Sequence, residues 1–169
     1  MKLARERAAR GTRNGREEGF SLPELLTVIA LMALLILFGG PALADGFRAY
    51  KVRTAADILS TDLRAMRYSA VGQRSPRAMT INNQGSTPPN QYIFVNARGE
   101  SLIRQMESPV NIESASATTI NFNINGSTGS ISSQTILVSM GINDTRGDRY
   151  TISVSPSGTV STAYSNYVP

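Results

Sequence analysis

Polar and apolar residues are unevenly distributed along the chain. Residues 1–19 are polar and rich in arginine, with few large apolar groups, and cannot build a core. At Phe20 the composition switches. Residues 20–38 are almost wholly apolar, interrupted by Ser21, Pro23, Glu24 and Thr27, and are followed by Gly39-Gly40-Pro41 and Ala42-Leu43-Ala44. An apolar run of about 19–20 residues is long enough to cross a bilayer as a helix. The pattern therefore predicts a transmembrane helix over 20–44. A secretory signal has a shorter apolar stretch ending at a small-x-small site. Ala42-Leu43-Ala44 has that form, but the run before it is too long. A buried core helix fits poorly beside an arginine-rich flank. Because Lys and Arg precede the run, the N-terminus is expected on the cytoplasmic side and the rest of the chain outside.

Beyond Pro41 the periodicity becomes that of an amphipathic helix. Phe47, Tyr50, Ala55, Ile58, Leu59, Leu63, Met66 and Ala70 recur at three- and four-residue spacing. Arg48, Lys51, Arg53, Asp57, Asp62, Arg64 and Arg67 mostly fall between them. A helix with one buried stripe is predicted over 45–72, ending at Gly72. Gly39, Gly40 and Pro41 should weaken, kink or break any helix continuous with the apolar run, because proline removes a donor and crowds the preceding turn.

From residue 73 the period shortens to two. Segments 78–82 and 91–96 flank a Gly-Ser-Thr-Pro-Pro loop at 85–89. In 119–125, Ile120, Phe122 and Ile124 alternate with Asn121, Asn123 and Asn125. Segments 135–140 and 149–155 are further strands, and Val160 lies in a short closing strand. Turns are expected at 126–129 and at Pro156-Ser157-Gly158. The resulting fold class is α+β: a long N-terminal helix, its amphipathic half packed on a C-terminal antiparallel β-sheet domain. The expected partition is a basic leader over 1–19, an apolar helix over 20–44, an amphipathic helix over 45–72 and a β-rich domain over 73–169.

Composition narrows the chemistry. The 169 residues include no Cys and no His. Disulfide staples, thiolate chemistry and the commonest general base and metal ligand are therefore absent. The net charge is +5, of which the segment before Phe20 carries about +3. The high pI thus says little about nucleic acid. No catalytic residue, cofactor, metal or small-molecule substrate is expected, and the chain is not read as an enzyme. A Ser-Lys dyad is chemically open, but past the leader Lys51 is the one lysine. Arg146-Gly147-Asp148 spells an adhesion-type tripeptide but suits a polar hairpin turn. Asn143, Asp144 and Asp148 offer oxygens, too few for a calcium cage.

The sharpest local feature is Gly19-Phe20-Ser21-Leu22-Pro23-Glu24, opening the apolar helix. A carboxylate one turn into a lipid-facing segment is expensive. Its partner is either an α-amino group freed at Phe20 or the same group on a neighbouring subunit. Alternatively, Glu24 sits at headgroup level, where it favours the positive end of the helix dipole.

This signal resembles that of type IV pilins and type II secretion pseudopilins, in its arginine-rich leader, Gly19, Phe20, Glu24 and apolar run. The resemblance implies cleavage between Gly19 and Phe20 by a prepilin peptidase and N-methylation of Phe20. It also implies a role for Glu24 in assembly with other pilin or pseudopilin subunits, and residence in a bacterial inner membrane. Pro41 falls where many pilins carry a helix-loosening proline. Pro23 departs from the usual residue before the glutamate and is tolerable near a helix start. The segments Arg53 to Leu59 and Asp62 to Ala70, Ile120-x-Phe122-x-x-x-Gly126 and the last hairpin from Arg149 to Val160 resemble the minor pilin and pseudopilin group called FimT/GspH. The function implied is that of a structural subunit that primes or caps a pilus or pseudopilus. The alternatives are a FimT-type DNA-binding minor pilin and a single-pass anchored envelope protein. Against DNA as a partner, residues 159–169 contain no Lys or Arg, whereas phosphate contacts need several positioned cations.

Overall fold

The structure, a computed structural model, describes residues 20–143 and 146–167. Two units are distinguished, Met1–Pro41 and Ala42–Pro169. One helix, α1 (Leu22–Gly72), contributes to both. Its secondary structure continues through Gly39, Gly40 and Pro41, so the expected weak point is not an end of the helix. The division between units falls at that same place, after Pro41. Neither glycine has a neighbour that an added Cβ would meet, so the helix is uncrowded there.

In the first unit the helix has no buried face. Leu25, Leu26, Ile29, Leu31, Met32, Leu34, Leu35, Ile36, Leu37 and Phe38 are all exposed. By length and composition this helix is apolar enough to cross a membrane.

Among its described residues the second unit is built from the rest of α1 and eight strands: β1 (Arg77–Asn82), β2 (Gln91–Val95), β3 (Ser101–Gln105), β4 (Asn111–Ala115), β5 (Thr119–Phe122), β6 (Gln134–Asn143), β7 (Arg146–Val154) and β8 (Val160–Tyr167). They form two four-stranded sheets, ordered β3-β2-β1-β5 and β4-β6-β7-β8, and every pairing is antiparallel. Two sheets stand where the periodicity suggested one. β3 and β4 were not anticipated, and β8 is longer than the short closing strand expected at Val160.

Val52, Ala56, Leu59, Leu63, Met66 and Ala70 of α1 are buried. The steps between them are of three and four residues, which keeps them on one side of a 3.6-residue helix. Met79, Ile81, Tyr92, Phe94, Ile120 and Phe122 of the first sheet join the same core, as do Ile112, Ile136, Val138, Met140, Ile152 and Val154 of the second. The stripe differs in phase from the one expected. Leu59, Leu63, Met66 and Ala70 point inward as predicted and Ala55 is half-buried, but Phe47, Tyr50 and Ile58 are exposed. Once the four inward residues fix the phase, about 100° per residue places Val52 and Ala56 toward the core and turns Phe47, Tyr50 and Ile58 onto a second flank.

Arg146-Gly147-Asp148 opens β7 rather than occupying a turn, and Asp148 is buried, accepting a hydrogen bond from the Tyr164 hydroxyl at 2.9 Å. An adhesive display of this tripeptide is incompatible with that burial. Asp144 lies outside the described residues. The predicted turn at 156–158 is present, whereas the other lies earlier than expected, at 123–126, where the Gly126 amide donates to the Asn123 carbonyl at 2.8 Å; β5 therefore stops at Phe122 and Ile124 is exposed. Gly126 and Gly158 both have φ of 81°, a conformation that only glycine adopts without strain.

Candidate functional site

Of the processing and assembly residues inferred from sequence, Phe20 and Glu24 lie at the start of α1. Gly19 lies outside the described residues. Phe20 is 79% exposed and precedes the helix, as does Ser21. The Ser21 Oγ accepts the Glu24 amide at 3.4 Å, and its carbonyl accepts the Leu25 amide at 3.1 Å. Ser21 is therefore the N-cap, Leu22 and Pro23 fill the first helical positions, and Glu24 is the third. Proline so early sacrifices no intrahelical bond. Ser-x-x-Glu is the spacing of a capping box. That spacing is visible in the sequence, and it adds a local cap to the dipole preference of Glu24. Its carboxylate lies in the first turn, where the helix dipole favours negative charge. Thr27, the remaining polar residue of this stretch, turns its hydroxyl back to the Glu24 carbonyl at 2.8 Å, which hides its donor.

Within the second unit a different feature emerges from the misphased residues. Phe47, Tyr50 and Ile58 of α1 line an open groove of about 740 Å³, with Ile103, Met106 and Val110 from β3 and the segment after it. Beside it, Asp62 Oδ2 accepts the Tyr92 hydroxyl at 2.7 Å and pairs with Arg104 Nε at 2.8 Å. This ties α1 to β2 and β3. Burial, the hydrogen bond to Asp62 and the Asp62 charge all push the Tyr92 hydroxyl well above the ordinary tyrosine range, against the opposing pull of Arg104. Tyr92 is thus a permanent donor at neutral pH. Tyr92 also stacks on Phe94, with ring centroids 5.9 Å apart.

At another point of the second unit Arg67 fastens two turns. Its Nε donates to the Gly126 carbonyl at 3.1 Å and its Nη2 to the Ser157 carbonyl at 3.3 Å. In the second sheet Arg149 forms a two-pronged pair with Glu113, at 2.6 and 2.9 Å. Among the described residues no cluster of acidic side chains is suited to a metal ion. These side chains fasten elements together, and none forms a nucleophile–base pair.

A solved structure of FimU, a type IV minor pilin of Pseudomonas aeruginosa, shares this architecture. The crystal form in space group P21 aligns with a TM-score of 0.52 at 17% identity, covering 68% of this chain and 89% of that one. The fold is pilin-like. A second form, in space group P65, aligns with a TM-score of 0.48 at 18% identity, covering 66% of this chain and 91% of the other. No family model matches the sequence, and no curated protein matches it. In this pilin-like fold the helix start, the exposed apolar run and the sheet-bearing unit lie on one chain in that order.

Proposed function

We propose that the chain is a minor pilin- or pseudopilin-type structural subunit, anchored by its apolar helix and assembled into a filament with other subunits. The observation that carries this reading is the exposed apolar run of α1, which follows the Gly19-Phe20 and Glu24 signal and leads into a pilin-like domain. Prepilin peptidase would cut between Gly19 and Phe20 and methylate Phe20. The apolar helix would then leave the inner membrane, with the second unit on its outer side, and pack against like helices. Pro41 and the two glycines before it would let the helix yield during that transfer. Glu24 would set register by pairing with an N-terminal amine; such a pair fixes geometry more than it adds affinity. The FimT/GspH likeness of the second helical half and last hairpin supports a priming or capping position.

Intact mass and N-terminal sequence of the membrane-derived protein, with and without the peptidase, test the reading. A chain starting at methylated Phe20 only when the peptidase is present supports it. A chain cut after Ala44, or left uncut in both cases, removes it. In the same cells Glu24→Ala should be processed normally yet fail to enter filaments, and normal incorporation would refute the register role. A DNA-binding variant of this reading has weak support, since residues 159–169 lack cations and Arg149 and Arg104 are engaged with Glu113 and Asp62.

A further inference from the structure

We infer that the groove between α1 and β3 is a docking site for an extended, uncharged peptide segment, which would join the first sheet as an additional strand beside β3. The inference concerns the second unit alone and does not depend on processing at Gly19.

β3 is an edge strand, and two hydrogen bonds fix which way its backbone points. Met106 donates its amide to Asn90 at 2.8 Å, and Glu100 accepts the Asn96 amide at 2.9 Å. Backbone groups alternate in direction along a strand. Glu100, Leu102, Arg104 and Met106 therefore turn toward β2, while Ser101, Ile103 and Gln105 present their N–H and C=O groups at the free edge. Among the described residues none of these outward groups has a backbone partner in another strand. Edge strands are usually blunted by shortness, charge, proline or a bulge. β3 is short but has no proline, lysine or bulge in its pairing with β2, the charge of Arg104 is paired with Asp62 of α1, and Ile103 is 65% exposed.

The groove supplies the side-chain half of the site. Phe47 and Tyr50 stand 68% and 67% exposed on one wall, and buried Met106 and Val110 lie along the other. A strand laid on β3 directs alternate side chains to one face, and a row of apolar ones would fill this space.

Charge selects against an ionised occupant. The groove's lysine pairs with its glutamate, Lys51 to Glu107 at 3.4 Å, and Arg104 pairs with Asp62 at 2.8 Å. On the neighbouring helix turn Arg53 pairs with Asp57 at 3.8 Å. The walls are balanced internally, so a charged segment would lose hydration without gaining a partner. A free backbone edge beside an apolar trough is the arrangement that recognises peptides by strand addition.

The test uses the full chain in lipid nanodiscs and a short acetylated, amidated peptide alternating valine and threonine. Binding is followed by fluorescence anisotropy and by amide hydrogen exchange. We expect saturable binding, with slowed exchange at Ser101, Ile103 and Gln105 and none at Leu102 or Arg104. Ile103→Pro removes one outward donor and is sterically suited to an edge position; it should weaken binding about tenfold or more. The same peptide methylated on alternate amide nitrogens leaves the protein untouched and should not bind. Absence of saturable binding overturns the proposal. So does binding that survives both changes yet is lost in Ile58→Glu, which would make the groove a pocket for apolar small molecules. Slowed exchange at the same three amides with rising protein concentration and no peptide would overturn it in favour of pairing between copies.

Discussion

The two halves of α1 are one secondary-structure element with opposite surroundings. In Met1–Pro41 the described helix has no polar face, and its leucines and isoleucines are exposed. In Ala42–Pro169 apolar residues recur at three- and four-residue steps, and six of them are buried against the sheets. Helical hydrogen bonding is available to both, so it does not distinguish them. What differs is where the apolar surface can go. The second half finds its cover within its own chain. The first is exposed along its described length, and by length and composition it is apolar enough to cross a membrane.

The largest expected effect comes from making the same substitution in each half. Leu63→Ala removes a fully buried side chain and should destabilise the second unit by about 2–5 kcal/mol. Leu34→Ala, in the exposed run, should leave the urea midpoint of that unit unchanged in detergent micelles. Equal losses in the two variants would mean that the apolar half is itself part of the folded core.

Next in size is the turn that Arg67 fastens. A Cβ at Gly158 would collide with the Gly126 carbonyl and approach Arg67 Nε to 2.9 Å, at a φ of 81°. The backbone conformation alone costs a non-glycine residue about 1–3 kcal/mol. Gly158→Ala should therefore lower the thermal midpoint clearly. Gly46→Ala, a helical glycine with open space around it, should raise it slightly through helix propensity.

These contrasts also show what the sequence discloses. β1, β5 and β7 are legible because apolar residues alternate with polar ones in phase with burial, and β2 and β6 because Tyr92–Val95 and Ile136–Val138 are short apolar runs rich in aromatic and branched residues. β3 and β4 are not. Ser101–Gln105 is an edge strand with exposed residues of mixed type, and Asn111–Ala115 carries one fully buried side chain, Ile112. β3 is held by its hairpin pairing to β2, and β4 by pairing to β6 about twenty residues on; neither pairing leaves an alternation in the strand's own residues. The helix stripe is legible in period throughout and in phase from Leu59 onward but not before it, because Phe47, Tyr50 and Ile58 are apolar without belonging to the core. The signal around Glu24 is visible in sequence, and the Ser-x-x-Glu spacing also announces the cap that Ser21 provides. The groove was invisible, since its walls come together only when β3 takes its place beside α1.

Tyr92 gives an effect of intermediate size and a pH signature. Its hydroxyl is held above the usual value of 10.0, first by burial and then by Asp62. An unfolded chain releases this proton near pH 10, whereas the folded one retains it. The stabilisation is therefore complete below pH 10 and is lost as pH rises beyond it. Tyr150, raised mainly by burial, acts with the same sign. Tyr92→Phe should cost about 1–2 kcal/mol at neutral pH and flatten the decline above pH 10 in urea titrations. An unchanged alkaline limb would assign that decline to other groups.

The smallest effect separates two ion pairs that line the same groove. Arg104 meets Asp62 at 2.8 Å, with the aspartate side chain 13% exposed and also holding Tyr92. Lys51 meets Glu107 at 3.4 Å, with the glutamate side chain 83% exposed. Water and salt screen the second pair far more than the first, and ordering two mobile side chains offsets most of its attraction. Glu107→Gln should thus shift stability by less than about 0.5 kcal/mol, and even that should vanish in molar salt. Asp62→Asn should cost severalfold more and keep most of its effect in salt, because the buried side of the site then faces Arg104 without its counter-charge. If the two variants behave alike, the Asp62 site is as open to solvent as the rim, and the groove wall is less rigid than a strand-docking surface requires.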